Sequence, residues 1–272
     1  MRTISFRFSA MMAALLLVPA FSRSLHAQAT IATDRPGLAF SSITVPRGAL
    51  QIEIGTPQIE RVDVGGVEAT TTRIPFLAVR YGVTERIELR AISPIYNHVE
   101  IDDGTTKTSE SGNGDLELGA KVHLRRGFLD GGSGPDLSLI GSVFLPVGDA
   151  PFTISDDREG YAVNGVAQAP AGSWTLTGVV GANYLPLGED SHVTSANLVG
   201  WVGRSLTSRV SGYVEAGWFP SDADTEPAYA GAGVAFLATP LVQLDAFFDR
   251  GLNDDATDWI FGGGVSLRLG GE

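Results

Sequence analysis

The segment 114–126, GDLELGAKVHLRR, alternates apolar and polar positions almost without a break. Leu116, Leu118, Ala120, Val122 and Leu124 interleave with Asp115, Glu117, Gly119, Lys121, His123 and Arg125. Side chains on a strand point alternately to opposite faces, so this segment reads as a strand with one apolar and one charged face. The same period, punctuated by turn residues, predicts strands over 48–61, 67–81, 86–97, 114–126, 136–147, 158–170, 173–185, 192–204, 208–220, 227–238, 240–251 and 257–269. Short connections (82–85, 171–172, 206–207, 239) alternate with mostly longer polar ones (98–113, 148–157, 186–191, 221–226, 252–256). The connection at 62–66 is shorter, and the turn at 127–135 longer, than this rule expects.

A soluble sheet would turn the apolar face of each strand inward, whereas a membrane barrel would turn it outward to lipid and line the lumen with the charges. Trp174, Leu176, Gly178, Val180, Ala182 and Tyr184 share one face, with aromatics at both ends; Trp259, Phe261, Gly263, Val265, Leu267 and Leu269 repeat the arrangement with aromatics at one end. Interfacial aromatic girdles have this form. Opposite apolar neighbours stand Glu53, Glu88, Arg90, Asp115, Glu117, Lys121, Arg125, Glu215, Asp245, Asp249 and Arg268. That many charges suit a water-filled lumen better than a closed core, so these eleven are the expected pore-lining residues. The fold class expected is all-β, a single antiparallel transmembrane barrel of about twelve strands.

The N-terminus agrees with export. Arg2 and Arg7 precede the apolar run from Ala10 to Phe21, and Ala27-Gln28-Ala29 offers a small-residue cleavage site, which together read as a signal peptide over 1–29. The run is too short to cross about 30 Å of hydrocarbon as a helix. Residues 30–47 follow as a periplasmic or lumen segment, and 48–272 as the barrel. Within 30–47, Asp34-Arg35 marks a segment able to fold into the pore and plug it.

Composition removes other classes. The formal net charge of -12 becomes -15 without the signal, which takes Arg2, Arg7 and Arg23 and no acids. Such an acidic chain is no partner for nucleic acid. There is no cysteine, hence neither disulfide nor thiolate metal site. His98, His123 and His192 fall on separate elements without carboxylates at metal-ligand spacing, so neither metal nor cofactor is expected. A lipid-modifying barrel enzyme would need a nucleophile and base on one wall; His192 shares a face with Thr194 while Ser195 points away, and no catalytic residue is assigned. Acidic pairs such as Asp102-Asp103 and Asp254-Asp255 gather in the long connections, either as ordinary solvated loop residues or as carboxylates bridged by divalent cations to lipid headgroups.

Several motifs in order carry a family resemblance. Thr33-Asp34-Arg35-Pro36-Gly37, then Gly48-x-x-Gln51-x-Glu53-x-Gly55, Gly112-x-Gly114-Asp115-x-x-x-Gly119 and Gly251-Leu252-Asn253-Asp254-Asp255-x-x-Asp258 resemble the bacterial outer-membrane barrels grouped under the meta-pathway of phenol degradation, a family labelled transporter. The resemblance implies an outer-membrane location in a Gram-negative cell and passive passage of small, aromatic or hydrophobic compounds. It also implies contact with outer-membrane lipids and with the assembly machinery. Such barrels commonly close on an aromatic residue, whereas the last strand here closes on Leu269, which leaves Trp259 and Phe261 as its aromatics. The other expectation is a plugged structural or surface-interaction barrel without transport.

Overall fold

A computed structural model describes residues 30–128, 131–132, 134–155, 157–187 and 191–271; the expected signal peptide lies outside them. Among the described residues fifteen strands occur in order: β1 (Ala49–Val64), β2 (Val67–Arg73), β3 (Phe76–Gly82), β4 (Ile87–Pro94), β5 (Asn97–Asp102), β6 (Lys107–Gly112), β7 (Leu116–Arg125), β8 (Asp136–Leu145), β9 (Gly160–Ala171), β10 (Trp174–Leu187), β11 (Ser191–Ser205), β12 (Val210–Trp218), β13 (Ala228–Thr239), β14 (Val242–Gly251) and β15 (Trp259–Gly270). Twelve of them, β1, β3, β4 and β7 to β15, form a closed antiparallel ring. It closes where β1 meets β15, from Ala49 opposite Gly270 to Arg61 opposite Trp259. Closure removes every free edge from the ring, the condition for strands to cross a bilayer.

The strands alternate as the sequence predicts, with the polarity of a soluble protein inverted. Val180 is 65% exposed, Val214 58% and Leu89 52%, while Glu53, Glu88, Arg80 and Lys121 are fully buried. The apolar faces form the outer wall, and aromatics such as Trp174, Tyr81, Tyr161, Tyr184, Trp218 and Phe261 stand exposed toward its two rims. The inner wall is not uniformly polar. Ile140, Val166, Val179 and Val199 make an apolar patch on the inside of β8 to β11.

The expected strands 67–81 and 86–97 are each divided. β2 and β3 are one strand interrupted at Ile74-Pro75, and β4 and β5 are interrupted at Ile95-Tyr96. The expected loop 98–113 is instead largely the β5–β6 hairpin. The cause is a row of prolines on neighbouring strands: Pro57 in the register shift of β1, Pro75, and Pro94 at the end of β4. Proline cannot donate to a ladder, so adjacent prolines interrupt pairing at one level. Above that level Gln58–Val64 of β1 pair with β2, β2 with β5 and β5 with β6, extending the wall past the ring on one side.

Arginine in place of Val180 should destabilise the bilayer-inserted barrel by about 2–4 kcal/mol, read by urea unfolding in lipid vesicles. Arginine should likewise be tolerated at the inward Glu117 but not at its outward neighbour Leu118, and equal tolerance would mean the faces are wrongly assigned.

Candidate functional site

Residues 30–47 run through the lumen between the two unlike walls. The polar wall holds the first half. Asp34 accepts from Arg90 Nη1 at 2.7 Å and from Lys121 Nζ at 2.9 and 3.0 Å, with Arg80 Nε 3.6 Å away. Arg80 in turn bonds Glu53 at 2.7 Å and grips Glu88 with two donors at 2.8 and 2.9 Å. The carboxylates also hold backbone: Glu53 accepts the Asp34 and Arg35 N–H groups at 3.1–3.3 Å, and Glu88 that of Val45 at 2.8 Å. Arg35 crosses to β14 and β15, donating to Asp245 at 3.2 Å and the Gly263 carbonyl at 3.0 Å.

The apolar patch holds the second half. Leu38, Ala39 and Phe40 pack against Ile140, Val166, Val179 and Val199, joined by Phe219. The Arg90 guanidinium sits 5.3 Å from the Phe40 ring centroid, linking the two sets of contacts. Ser42 donates to Gln168 through both its N–H and its hydroxyl, at 3.2 and 2.7 Å, and accepts from Ser138. The segment is thus fastened on opposite sides, and burial of both ends of its polar contacts makes each contact depend on the others. Burial by itself would raise the Asp34 carboxyl, but the charges of Arg80, Lys121 and Arg90 overcome it and hold the group well below the usual carboxylate range.

Ten of the eleven expected pore-lining residues face inward. Glu53, Glu88, Arg90, Lys121, Glu215, Asp245, Asp249 and Arg268 are buried, and Asp115 and Glu117 are half-buried near the mouth. Arg125 is the correction: it is exposed at the short-turn end, because a register shift between His123 and Arg125 breaks the alternation that would have turned it inward. Arg80 was missed, although it alternates with the apolar Val79 and Tyr81 and so belonged with the inward charges. Asp115 serves the mouth, accepting Gly148 N–H at 2.9 Å and Ile154 N–H at 2.7 Å and so drawing residues 148–154 inward. His98, in the expected 98–113 connection, lies on β5 and bonds Ser111; His192 on β11 stacks on Tyr184 at 4.2 Å; His123 is buried 3.6 Å from Asp136. Loop carboxylates act as staples: Asp103 takes Thr105 and Thr106 N–H, Asp222 that of Thr194 and Asp255 that of Glu226.

Two cavities open inside the wall, and residues of the segment line the inner one. The outer, about 430 Å³, is lined by Phe76, Ile92, Phe144, Phe152 and Ile154 with Arg73 and Glu117. The inner, about 220 Å³, lies in the short-turn half against Asp34, Arg35, Gln168, Trp201, Tyr213 and Gln243.

A closed ring of strands with exposed apolar outer faces and a buried ionic interior defines an outer-membrane β-barrel. The chain belongs to the family described as "Putative MetA-pathway of phenol degradation", whose model matches residues 33–269. Among solved structures, the COG4313 outer membrane channel of Pseudomonas putida F1 is similar at a TM-score of 0.67 and 15% identity, over 86% of this chain and 99% of that one. The β domain of the Bordetella autotransporter BrkA is similar at 0.53 and 12%, over 83% and 100%. The NanC porin follows at 0.51 and 10%, over 81% and 100%. No curated protein matches the chain.

Replacing Asp34 with Asn leaves Arg80, Arg90 and Lys121 facing only two carboxylates, and loss of one partner of a buried pair costs about 3–5 kcal/mol. The segment should then become cleavable by protease in detergent-solubilised barrel that resists cleavage in the parent. Because the Asp34 carboxyl is lowered in the folded state, its stabilisation is complete above the ordinary aspartate value and is lost progressively as pH falls from there through the lowered one. The parent segment should therefore stay protected at pH 5 and loosen only under stronger acid.

Proposed function

We propose that the protein is a channel for small, apolar or aromatic compounds, with residues 30–47 as a gate that closes the lumen at rest. The observation that carries this reading is the segment's double attachment, ionic on one wall and apolar on the other, beside the inner cavity that it helps to line. The plugged barrel and the channel are then two states of one molecule. The mouth supports the solute class: three phenylalanines and two isoleucines give a surface that an aromatic ring wets better than a sugar does. The short turns are taken as periplasmic and the long connections as external.

The lumen charges set the ion preference. With Arg80 replacing Arg125 among the inward bases and the buried Asp136 of β8 added to the seven acids named above, eight acids exceed four bases, Arg80, Arg90, Lys121 and Arg268, by four. Asp34 and Arg35 cancel each other.

Single-channel recording in planar bilayers tests the gate. The parent should show brief or small openings, and the Asp34→Asn protein and a chain lacking 30–47 a larger, steady level; equal steady conductance in all three would end the gate reading. When open, the pore should favour cations in a salt gradient, with the preference shrinking as salt rises because the Debye length is only about 8 Å at physiological ionic strength. Proteoliposomes should admit a small phenolic solute faster than a sugar of similar size.

A further inference from the structure

On the inner face of β12, β13 and β14, Glu215, Gly231 and Asp249 stand in register on neighbouring strands. Gly231 has no side chain, so the Asp249 carboxylate lies across it, where an added Cβ would collide, on the strand between Asp249 and Glu215. Both acids are buried, at 5% and 1% exposure. Glu215 Oε2 accepts the Leu38 N–H at 2.8 Å, but Glu215 Oε1 and both Asp249 oxygens have no hydrogen-bond partner among the described residues.

A second observation is independent of the acids. The Tyr213 hydroxyl, on a side chain buried to 7% exposure, also has no partner among the described residues. A methyl group added to Gly37 would meet both this hydroxyl, at 2.8 Å, and Glu215 Oε1, so the hydroxyl points into the same small space. The 220 Å³ cavity, which Tyr213 and Arg35 help to line, gives solvent a way to it.

Charge decides what the space wants. Arg35 pairs with Asp245, which leaves Glu215 and Asp249 as two facing carboxylates. Two acceptors cannot satisfy each other, and buried charge without a counter-charge is strongly unfavourable. A shared proton would neutralise one charge of the two; a divalent cation neutralises both. We propose that Glu215, Asp249 and Tyr213 form a site for one hard divalent cation, with Ca²⁺ as the ion whose adaptable all-oxygen shell it suits and with cavity water filling the remaining positions. Because the other oxygen of Glu215 holds Leu38 N–H, the ion would also stiffen the clasp on the 30–47 segment.

The test uses the folded barrel, refolded from denaturant in detergent free of lipopolysaccharide. Calorimetric titration with Ca²⁺ should give one saturable site per barrel, accompanied by a rise in unfolding temperature. Glu215→Gln and Asp249→Asn should each weaken binding by about tenfold or more, as expected when one of two charged ligands is lost. The loop variants Asp222→Asn and Asp255→Asn should leave it unchanged. Should an inner-wall variant fail to fold, the parent decides: Tb³⁺ seated here should emit on excitation of Tyr213 and Trp201, whose rings stack at 5.4 Å, and Ca²⁺ should quench that emission. Tyr213→Phe should dim it. No saturable Ca²⁺ site, a site lost in the loop variants instead, no sensitised emission, or stabilisation that follows acidity alone would each overturn the proposal. These readouts are independent of conductance, so they stand or fall apart from the gate.

Discussion

Everything inside this barrel is arranged around the need to compensate charge where water is scarce. Asp34 meets Arg90, Lys121 and Arg80, and Arg80 is shared with Glu53 and Glu88, so three cations and three carboxylates form one connected group. Removal of any member leaves buried charge uncompensated, which is why the group acts as a unit. Five of its six members are fixed on β1, β3, β4 and β7, and the sixth is brought by the segment that precedes the barrel. The wall is therefore complete only when the segment is inside it.

The outer wall follows a different rule. Lipid offers no hydrogen bonds, so the ring must close on itself, and its outer side chains need only be apolar and of suitable breadth. Valine, leucine and small residues fill the middle of the strands, and aromatics collect toward the rims where one edge of the ring meets water. This freedom on the outside leaves the inner positions available for specific chemistry. The row formed by Pro57, Pro75 and Pro94 adds a boundary: below it the ring is continuous, and above it three extra strands stand over the mouth on one side.

Two unlike inner walls explain how one short segment can be held across the lumen and still serve as the proposed gate. Ionic contacts with β1, β3, β4 and β7 are directional and fix its register, while the packing of Leu38, Ala39 and Phe40 on the patch of β8 to β11 is apolar and tolerant of sliding. A change that weakens the ionic side leaves a segment still adherent on the other, which favours partial opening over expulsion. Glu215 binds backbone between the two sides, at Leu38, so the carboxyl pair on β12 and β14 is placed to influence both.

The twelve strands of the ring, the all-β class and the facing of most charged residues were legible in the sequence, because a period of two is a local property and a run of ten residues carries it in full, whereas the three strands above the proline row were not. Arg80 was legible in the same way and was passed over among its apolar neighbours. Where both faces are apolar, as at Leu139-Ile140 and Val179-Val180, alternation is silent, so the inner patch came to light only when the ring was closed. Arg125 departed from its expected face because a one-residue bulge is visible in pairing and not in composition. The prolines could be read one by one, but their alignment across three strands depends on register. Asp34 and Arg35 could be read only as part of a segment able to fold into the pore; their partners lie 87 residues away at Lys121 and 210 away at Asp245. The sequence determined which residues can face water or lipid, since that choice is made strand by strand, and the tertiary structure decided which charges meet, since only ring closure brings such distant positions together.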